Sequence, residues 1–307
     1  MAKKSISVSY HRRRLVVWFV AGIICSLVAM TGFILIKQNL SEKEEETKIL
    51  NPVIIPPYYD KKAFEQPKDV KTNPLVILEK RIKLPIVMFH YVEYVKDIGD
   101  LIRKRLDVSP DVFEADLKSL KDQDYQTYFV RDIPDILDGK ISISTRSAVL
   151  TFDDGYEDFY KDSFSLLKKY NMKATIYVIN DFIGRKGFLN DAELKEMAKS
   201  GLVEIGAHTL DHLYLKQIPK SVAEHQIVES KKDLEQRYGI EVKTIAYPYG
   251  AFSQETIDIT KQAGFVAAVS VIPGVYQTKD NLFYLYRIRA GALGGMNAAR
   301  VLDDMKK

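Results

Sequence analysis

The 307-residue chain is 46% hydrophobic and 28% charged, which excludes global disorder and leaves room for a folded domain plus an appendage. Its formal charge of +4 is local. Lys3, Lys4, Arg12, Arg13 and Arg14 stand among 36 residues without an acid, and 45 less these five leaves 40 basic against 41 acidic side chains, so nothing suggests a nucleic-acid surface. The lone cysteine, Cys25, excludes an intrachain disulfide, and stability has to come from the core.

Residues 1–14 are a basic tail, and residues 15–36 are an apolar run long enough to cross a bilayer as a helix. The run exceeds the apolar region of a removable signal peptide, and no small-residue cleavage site follows it. Arg12, Arg13 and Arg14 precede it, while Glu42, Glu44, Glu45 and Glu46 follow. The positive-inside rule predicts a single-pass anchor with a cytoplasmic N-terminus and an extracytoplasmic remainder. Residues 37–81 read as a stalk, because Pro52, Pro56, Pro57, Pro67 and Pro74 favour extended, semi-rigid backbone.

From residue 82 onward strands alternate with helices. Residues 85–89 form a short apolar run ending at His90, and Ser109-Pro110 starts a helix carrying Phe113, Leu117 and Leu120 at helical spacing. Residues 148–152 are a buried strand running into Asp153, Asp154 and Gly155. A helix at 164–170, a strand at 174–179, a helix at 192–199 and a strand at 203–205 follow. Ser221 to Glu224 reads as a capping box opening a helix that Gly239 closes. A strand at 242–247, a helix at 253–262 and a strand at 265–271 complete the alternation, which implies parallel strands with crossover helices. His90, the Asp153–Asp154 pair, His208 and Pro248-Tyr249 each fall just past a predicted strand end. A (β/α) barrel gathers all such positions on one face; an open sheet gathers two or three at a switch point. The expected fold is therefore α/β, a distorted barrel of about seven strands.

Two adjacent carboxylates at a buried strand end repel, and desolvation raises the pKa of the more enclosed one. A bound cation relieves both problems. His208 and His212 offer two imidazoles in one short segment, and Asp153 or Asp154 supplies a carboxylate. Two nitrogens and one oxygen leave positions open for water and a substrate oxygen. The carboxylate that does not bind the ion is then placed to take a proton from the water.

The segments Thr151-Phe152-Asp153-Asp154-Gly155, His208-Thr209-Leu210-Asp211-His212 and Tyr247-Pro248-Tyr249-Gly250 resemble, in order, the first three motifs of the polysaccharide deacetylase family (carbohydrate esterase family 4, the NodB-homology domain). The resemblance spans residue 84 to the C-terminus. It implies a metal-dependent N-deacetylase in which metal-activated water attacks an amide, with Asp153 as general base and Asp154, His208 and His212 as ligands of one divalent ion. Zinc is the first expectation, with cobalt, nickel or iron also suited to these ligands. The backbone N–H of Tyr249 would help hold the oxyanion. Tyr156, Tyr247, Pro248 and Tyr249 are the expected substrate-binding residues. With Trp18 the only tryptophan, and that in the predicted anchor, sugar stacking falls to tyrosines such as Tyr156, Tyr160 and Tyr249.

Three departures stand out. The third motif commonly carries arginine two residues before its proline, and here that position is Ala246. No fourth motif with its tryptophan is present. No histidine occurs after His225, so the late histidine that supplies the acid is missing. The segment from Ile86 to His90 resembles the opening strand of the branch that acts on poly-N-acetylglucosamine, which makes His90 the candidate general acid. Arg287 and Arg289 approach another strand end and are candidates to orient Asp153. The expected activity is removal of N-acetyl groups from N-acetylglucosamine residues of a cell-surface polysaccharide, exopolysaccharide first and peptidoglycan second. The alternatives are an O-acetyl xylan-type esterase and a degenerate glycan-binding domain.

Overall fold

The structure, a computed structural model, describes residues 81–305 apart from Ile98 and Met296. The described residues belong to one compact unit. The predicted anchor at 15–36 lies outside the described residues, as does the stalk at 37–81 except for its last residue. Among the described residues no helix is long and apolar enough to cross a membrane.

In chain order the strands are β1 (Ile82–Lys83), β2 (Ile86–Phe89), β3 (Gln126–Tyr128), β4 (Ser147–Phe152), β5 (Ala174–Val178), β6 (Val203–Ala207), β7 (Thr244–Ala246), β8 (Ala267–Pro273), β9 (Tyr276–Gln277) and β10 (Leu285–Arg289). The α-helices are α1 (Leu101–Leu106), α2 (Pro110–Asp122), α3 (Ile133–Leu137), α4 (Phe164–Tyr170), α5 (Asp191–Lys199), α6 (Lys220–Tyr238), α7 (Gln254–Gln262) and α8 (Ala298–Asp304). Seven parallel strands close on themselves in the order β2, β4, β5, β6, β7, β8, β10, with β10 returning to β2. The barrel expected from the alternation is present. An eighth strand, β3, pairs with the start of β4 on the edge that β5 takes further along. The pair β1–β9 is antiparallel and separate.

Strands β2, β4, β5, β6 and β7 are buried along their whole length, as parallel strands are when helices cover one face and barrel-filling side chains the other. Strand alternation divides their side chains into two cores. Val87, Phe89, Leu150, Phe152, Ile176, Ile205 and Ile245 join the layer beneath the helices. Ile86, Val149, Tyr177, Ala246, Val269 and Leu285 fill the barrel, where Ile133, Ile136 and Leu137 of α3 pack against them. Buried Glu204 accepts hydrogen bonds from Thr175 at 2.8 Å, Thr244 at 2.9 Å and the Arg131 N–H at 3.2 Å. Burial holds its carboxyl above the usual range against these bonds.

The outer layer is densest under the ends of β2 and β4. Phe89 stacks on Phe152 at 4.8 Å, and Phe113 and Phe159 meet Phe152 edge-on. Each buried phenyl contributes about 1.5–3 kcal/mol. Because chain neighbours point to opposite faces, locking Phe89 and Phe152 outward directs His90 and Asp153 to the other side.

One local expectation fails. Helix α6 starts at Lys220, one residue ahead of the expected box, and its N-cap is Pro219, which has no capping side chain. The Pro219 ring fixes φ (−56°) and its ψ is extended (137°), so the helix begins at the next residue and Ser221 falls inside it. Gly239 does close this helix, in the left-handed conformation (φ 64°), with its N–H donating to the Glu235 carbonyl.

Candidate active site

The chain leaves β4 through a strained turn. Asp154 is left-handed (φ 73°) and Gly155 follows at φ 77°. A non-glycine residue in that region signals a site that over-determines its backbone. Here the reversal gives the two neighbouring carboxylates different partners. Asp153 meets Arg287 of β10: Nη1 donates to Oδ1 at 2.8 Å and Nη2 to Oδ2 at 2.7 Å. The guanidinium also donates through Nε to the Ser270 carbonyl at 2.7 Å and through Nη1 to Thr151 Oγ1 at 3.1 Å, while the Thr151 hydroxyl donates to the Val87 carbonyl. Both Arg287 and Asp153 are buried. Burial pushes the Asp153 carboxyl up, but the charge and hydrogen bonds of Arg287 outweigh it, and the group sits below the usual carboxylate range.

Asp154 faces the histidines. His208 Nε2 and His212 Nε2 both stand 3.3 Å from the same oxygen, Asp154 Oδ1. His208 follows β6, and its Nδ1 lies 2.7 Å from the Ala246 carbonyl. A carbonyl only accepts, so Nδ1 carries the proton and the Nε2 lone pair points into the cluster. His212 is left-handed (φ 64°), and its N–H donates to Thr209 Oγ1 at 3.0 Å. Burial again pushes Asp154 up; the facing imidazoles prevail and hold it well below the usual range. His208 is raised, because Asp154 and Asp153 outweigh the effect of its burial.

This donor set fits a divalent cation. One ligand atom from each of Asp154, His208 and His212 lies within 4.8 Å of the others, and Asp154 Oδ1 is buried with no hydrogen-bond donor. Two imidazole nitrogens and a carboxylate oxygen are what zinc-type sites use when they keep a position open. Without an ion, a buried acceptor is left uncompensated.

The other predicted residues divide. His90 follows β2, is half-buried, and feels Asp153 and Asp154. Burial dominates and holds its imidazole below the ordinary histidine value, so the resting group is mainly neutral near pH 7. Tyr249 is left-handed (φ 59°) and sets its partly exposed ring 4.5 Å from His212. Tyr156 stays partly exposed between Tyr91 at 4.0 Å and Phe188 at 5.1 Å.

Tyr247 is a correction. It continues the outward alternation of β7, is 1% exposed, and packs on Phe252 with its hydroxyl donating to Thr260, so it cannot touch a substrate. Pro248 is buried and shapes the turn. Tyr160 serves the outer surface, stacked on Phe164 and donating to Glu196. Of the two candidates to orient Asp153, Arg287 is the one that donates to both of its oxygens. The position where the third motif commonly has arginine, Ala246, lines the barrel and offers only its carbonyl, while Asp153 draws its cation from β10. The sequence signal for Arg287 was a basic residue flanked by Tyr286 and Ile288 at an inward position of β10.

A closed parallel barrel with an acid–imidazole cluster and an arginine-paired acid at its C-terminal strand ends defines a (β/α)-barrel enzyme with a preformed polar centre. Comparison with known proteins narrows this. The family model "Polysaccharide deacetylase" matches residues 140–268. A Bacillus subtilis relative assigned to the polysaccharide deacetylases, YxkH, is 33% identical over 249 residues, covering 80% of this chain and 86% of that one. A Staphylococcus aureus poly-β-1,6-N-acetyl-D-glucosamine N-deacetylase is 28% identical over 240 residues, covering 73% and 82%. Among solved structures, the Streptococcus pyogenes deacetylase PplD in complex with acetate superposes with a TM-score of 0.67 at 28% identity, covering 74% of this chain and all of that one. The chain belongs to the polysaccharide deacetylase family.

Proposed function

We propose that the protein is a metal-dependent deacetylase that removes N-acetyl groups from N-acetylglucosamine residues of a cell-surface polysaccharide, exopolysaccharide first and peptidoglycan second. The observation that carries this reading is one buried carboxylate oxygen faced by two imidazole nitrogens, beside a second carboxylate held apart by its own arginine. The similarity to the Staphylococcus aureus N-deacetylase favours a poly-β-1,6-linked polymer. The apolar run at 15–36 and its basic flank favour a membrane anchor, with residues 37–81 as a spacer and 82–307 as an extracytoplasmic catalytic domain.

Asp154, His208 and His212 would hold one divalent ion, zinc by ligand type. When bound, such an ion supplies Lewis-acid polarisation of the acetyl carbonyl and acidifies water. Asp153 takes the proton of the attacking water, because Arg287 keeps the carboxylate ionised and fixes both its oxygens. The Tyr249 backbone N–H is the proposed donor to the developing oxyanion. The new C–O bond forms, the amide C–N bond breaks, and acetate and a free amine leave. His90 is the proposed acid for that amine. It is mainly neutral at rest, so its proton arrives during turnover, from solvent or from Asp153.

The test is acetate release by the zinc-loaded full chain from β-1,6-linked N-acetylglucosamine oligomers, peptidoglycan fragments and O-acetylated xylan. Activity on the first, abolished by chelator and cut about 10²- to 10⁴-fold by Asp153→Asn, is expected. Release from xylan alone would make the protein an O-acetyl esterase. Glycan binding that survives chelator, with no acetate from any substrate, would make it a degenerate binding domain.

A further inference from the structure

The segment leading from β6 to α6 carries two of the three cluster residues, His208 and His212, and is firmly held. Thr209 and His212 are both left-handed, at φ 65° and 64°. The N–H groups of Leu210 and Asp211 donate to Gln226 Oε1 of α6 at 3.0 and 3.3 Å, and Leu215 is buried at 2% exposure. Tyr214 lies between the held backbone of His212 and buried Leu215, yet the residue is 40% exposed. It lies 6.3 Å from the Tyr249 ring, tilted by 37°, and Tyr249 in turn lies 4.5 Å from His212. Tyr249 thus has the cluster's His212 on one side and the more exposed Tyr214 as its other ring neighbour.

An aromatic ring displayed on a pinned backbone loses little entropy when a ligand covers it. Tyrosine also joins an apolar face to a polar tip. A pyranose has the matching design, with C–H groups on its faces and hydroxyls around its rim. We infer that Tyr214 and Tyr249 form a stacking platform for the sugar next to the one that reacts, so that the glycan is recognised across more than one residue. The inference rests on the polysaccharide reading above and adds where the neighbouring sugar sits. Binding at such a remote contact helps position the reacting sugar, so its benefit extends to turnover.

The test compares wild type, Tyr214→Ala and Tyr214→Phe, as zinc-loaded full chain, on N-acetylglucosamine and its β-1,6-linked tetramer. Acetate release and calorimetric affinity are both read. Wild type should favour the tetramer. Tyr214→Ala should lose about two- to tenfold in kcat/KM and affinity for the tetramer and nothing for the monomer, and Tyr214→Phe should keep the advantage. Equal losses on both substrates, an unaltered tetramer preference in Tyr214→Ala, or no tetramer preference in wild type overturns the platform. Should wild type release no acetate while Tyr214→Ala still abolishes a calorimetric preference for the tetramer, the platform stands and the deacetylase reading falls.

Discussion

At the scale of the residue, the buried arginine–aspartate pair is where charge and burial meet. Arg287 is the largest fully buried side chain among the described residues, and its charge is tolerated there because Asp153 accepts two hydrogen bonds from it. Removing one partner of such a pair strands the other charge in a low-dielectric interior, at a cost of about 3–5 kcal/mol. Arg287→Ala is therefore expected to lower stability by that amount in urea denaturation and to raise the Asp153 pKa. Adding Asp153→Ala should recover most of the lost stability and none of the activity. If the two losses simply add, the residues are uncoupled and the positioning role is wrong. Asp153 and Asp154 were legible in the sequence as a pair with divided labour. Arg287 and Arg289 were both legible as candidates to orient Asp153, but the two-point contact of Arg287 was not, because Arg287 and Asp153 are 134 positions apart and only barrel closure brings them together.

At the scale of the element, the cluster depends on how closely β5, β6 and β7 approach. Gly206 is one residue before the end of β6, where an added Cβ would meet the Tyr177 ring at 2.5 Å and the Thr244 carbonyl at 3.0 Å. Even a methyl group overfills this layer, just below His208. Gly206→Ala is expected to destabilise by about 1–3 kcal/mol and to weaken zinc binding by displacing His208. Tyr177→Leu in the same background should restore part of both, measured by urea denaturation and zinc titration. No recovery in the double variant would place the strain elsewhere. The strands themselves could be read from their apolar runs, since buried parallel strands need little else. The start of α6 could not, because Ser221 and Glu224 satisfy a capping pattern that Pro219 pre-empts two residues earlier.

At the scale of the whole molecule, the cluster should link stability to cation and pH. Without an ion, pairing with Asp154 raises the His208 pKa above its ordinary value of about 6.5. The folded state then binds the proton more tightly than the unfolded chain does. That contribution is complete below about pH 6.5 and is lost as pH climbs through the raised value. Cation binding runs the opposite way, since it requires the neutral imidazole. Zinc at about 100 times its Kd should add roughly 2.7 kcal/mol to the unfolding free energy at neutral pH. The increment should shrink as pH falls through the His208 titration, as followed by Tm with zinc and with chelator. An increment unchanged by His208→Ala would show that the cation binds elsewhere.

The chain alone determined the barrel class and the chemistry-bearing residues at its strand ends. Hydrophobic periodicity is local, and so is the step from an apolar strand into a polar turn. Tertiary closure decided which groups meet: Arg287 on Asp153, Asp154 Oδ1 between His208 and His212, and the Tyr214 ring beside Tyr249. It also sent Tyr247 into the outer core, because the two-residue alternation of a strand continues one position past β7 and carries the tyrosine away from the face its motif suggests.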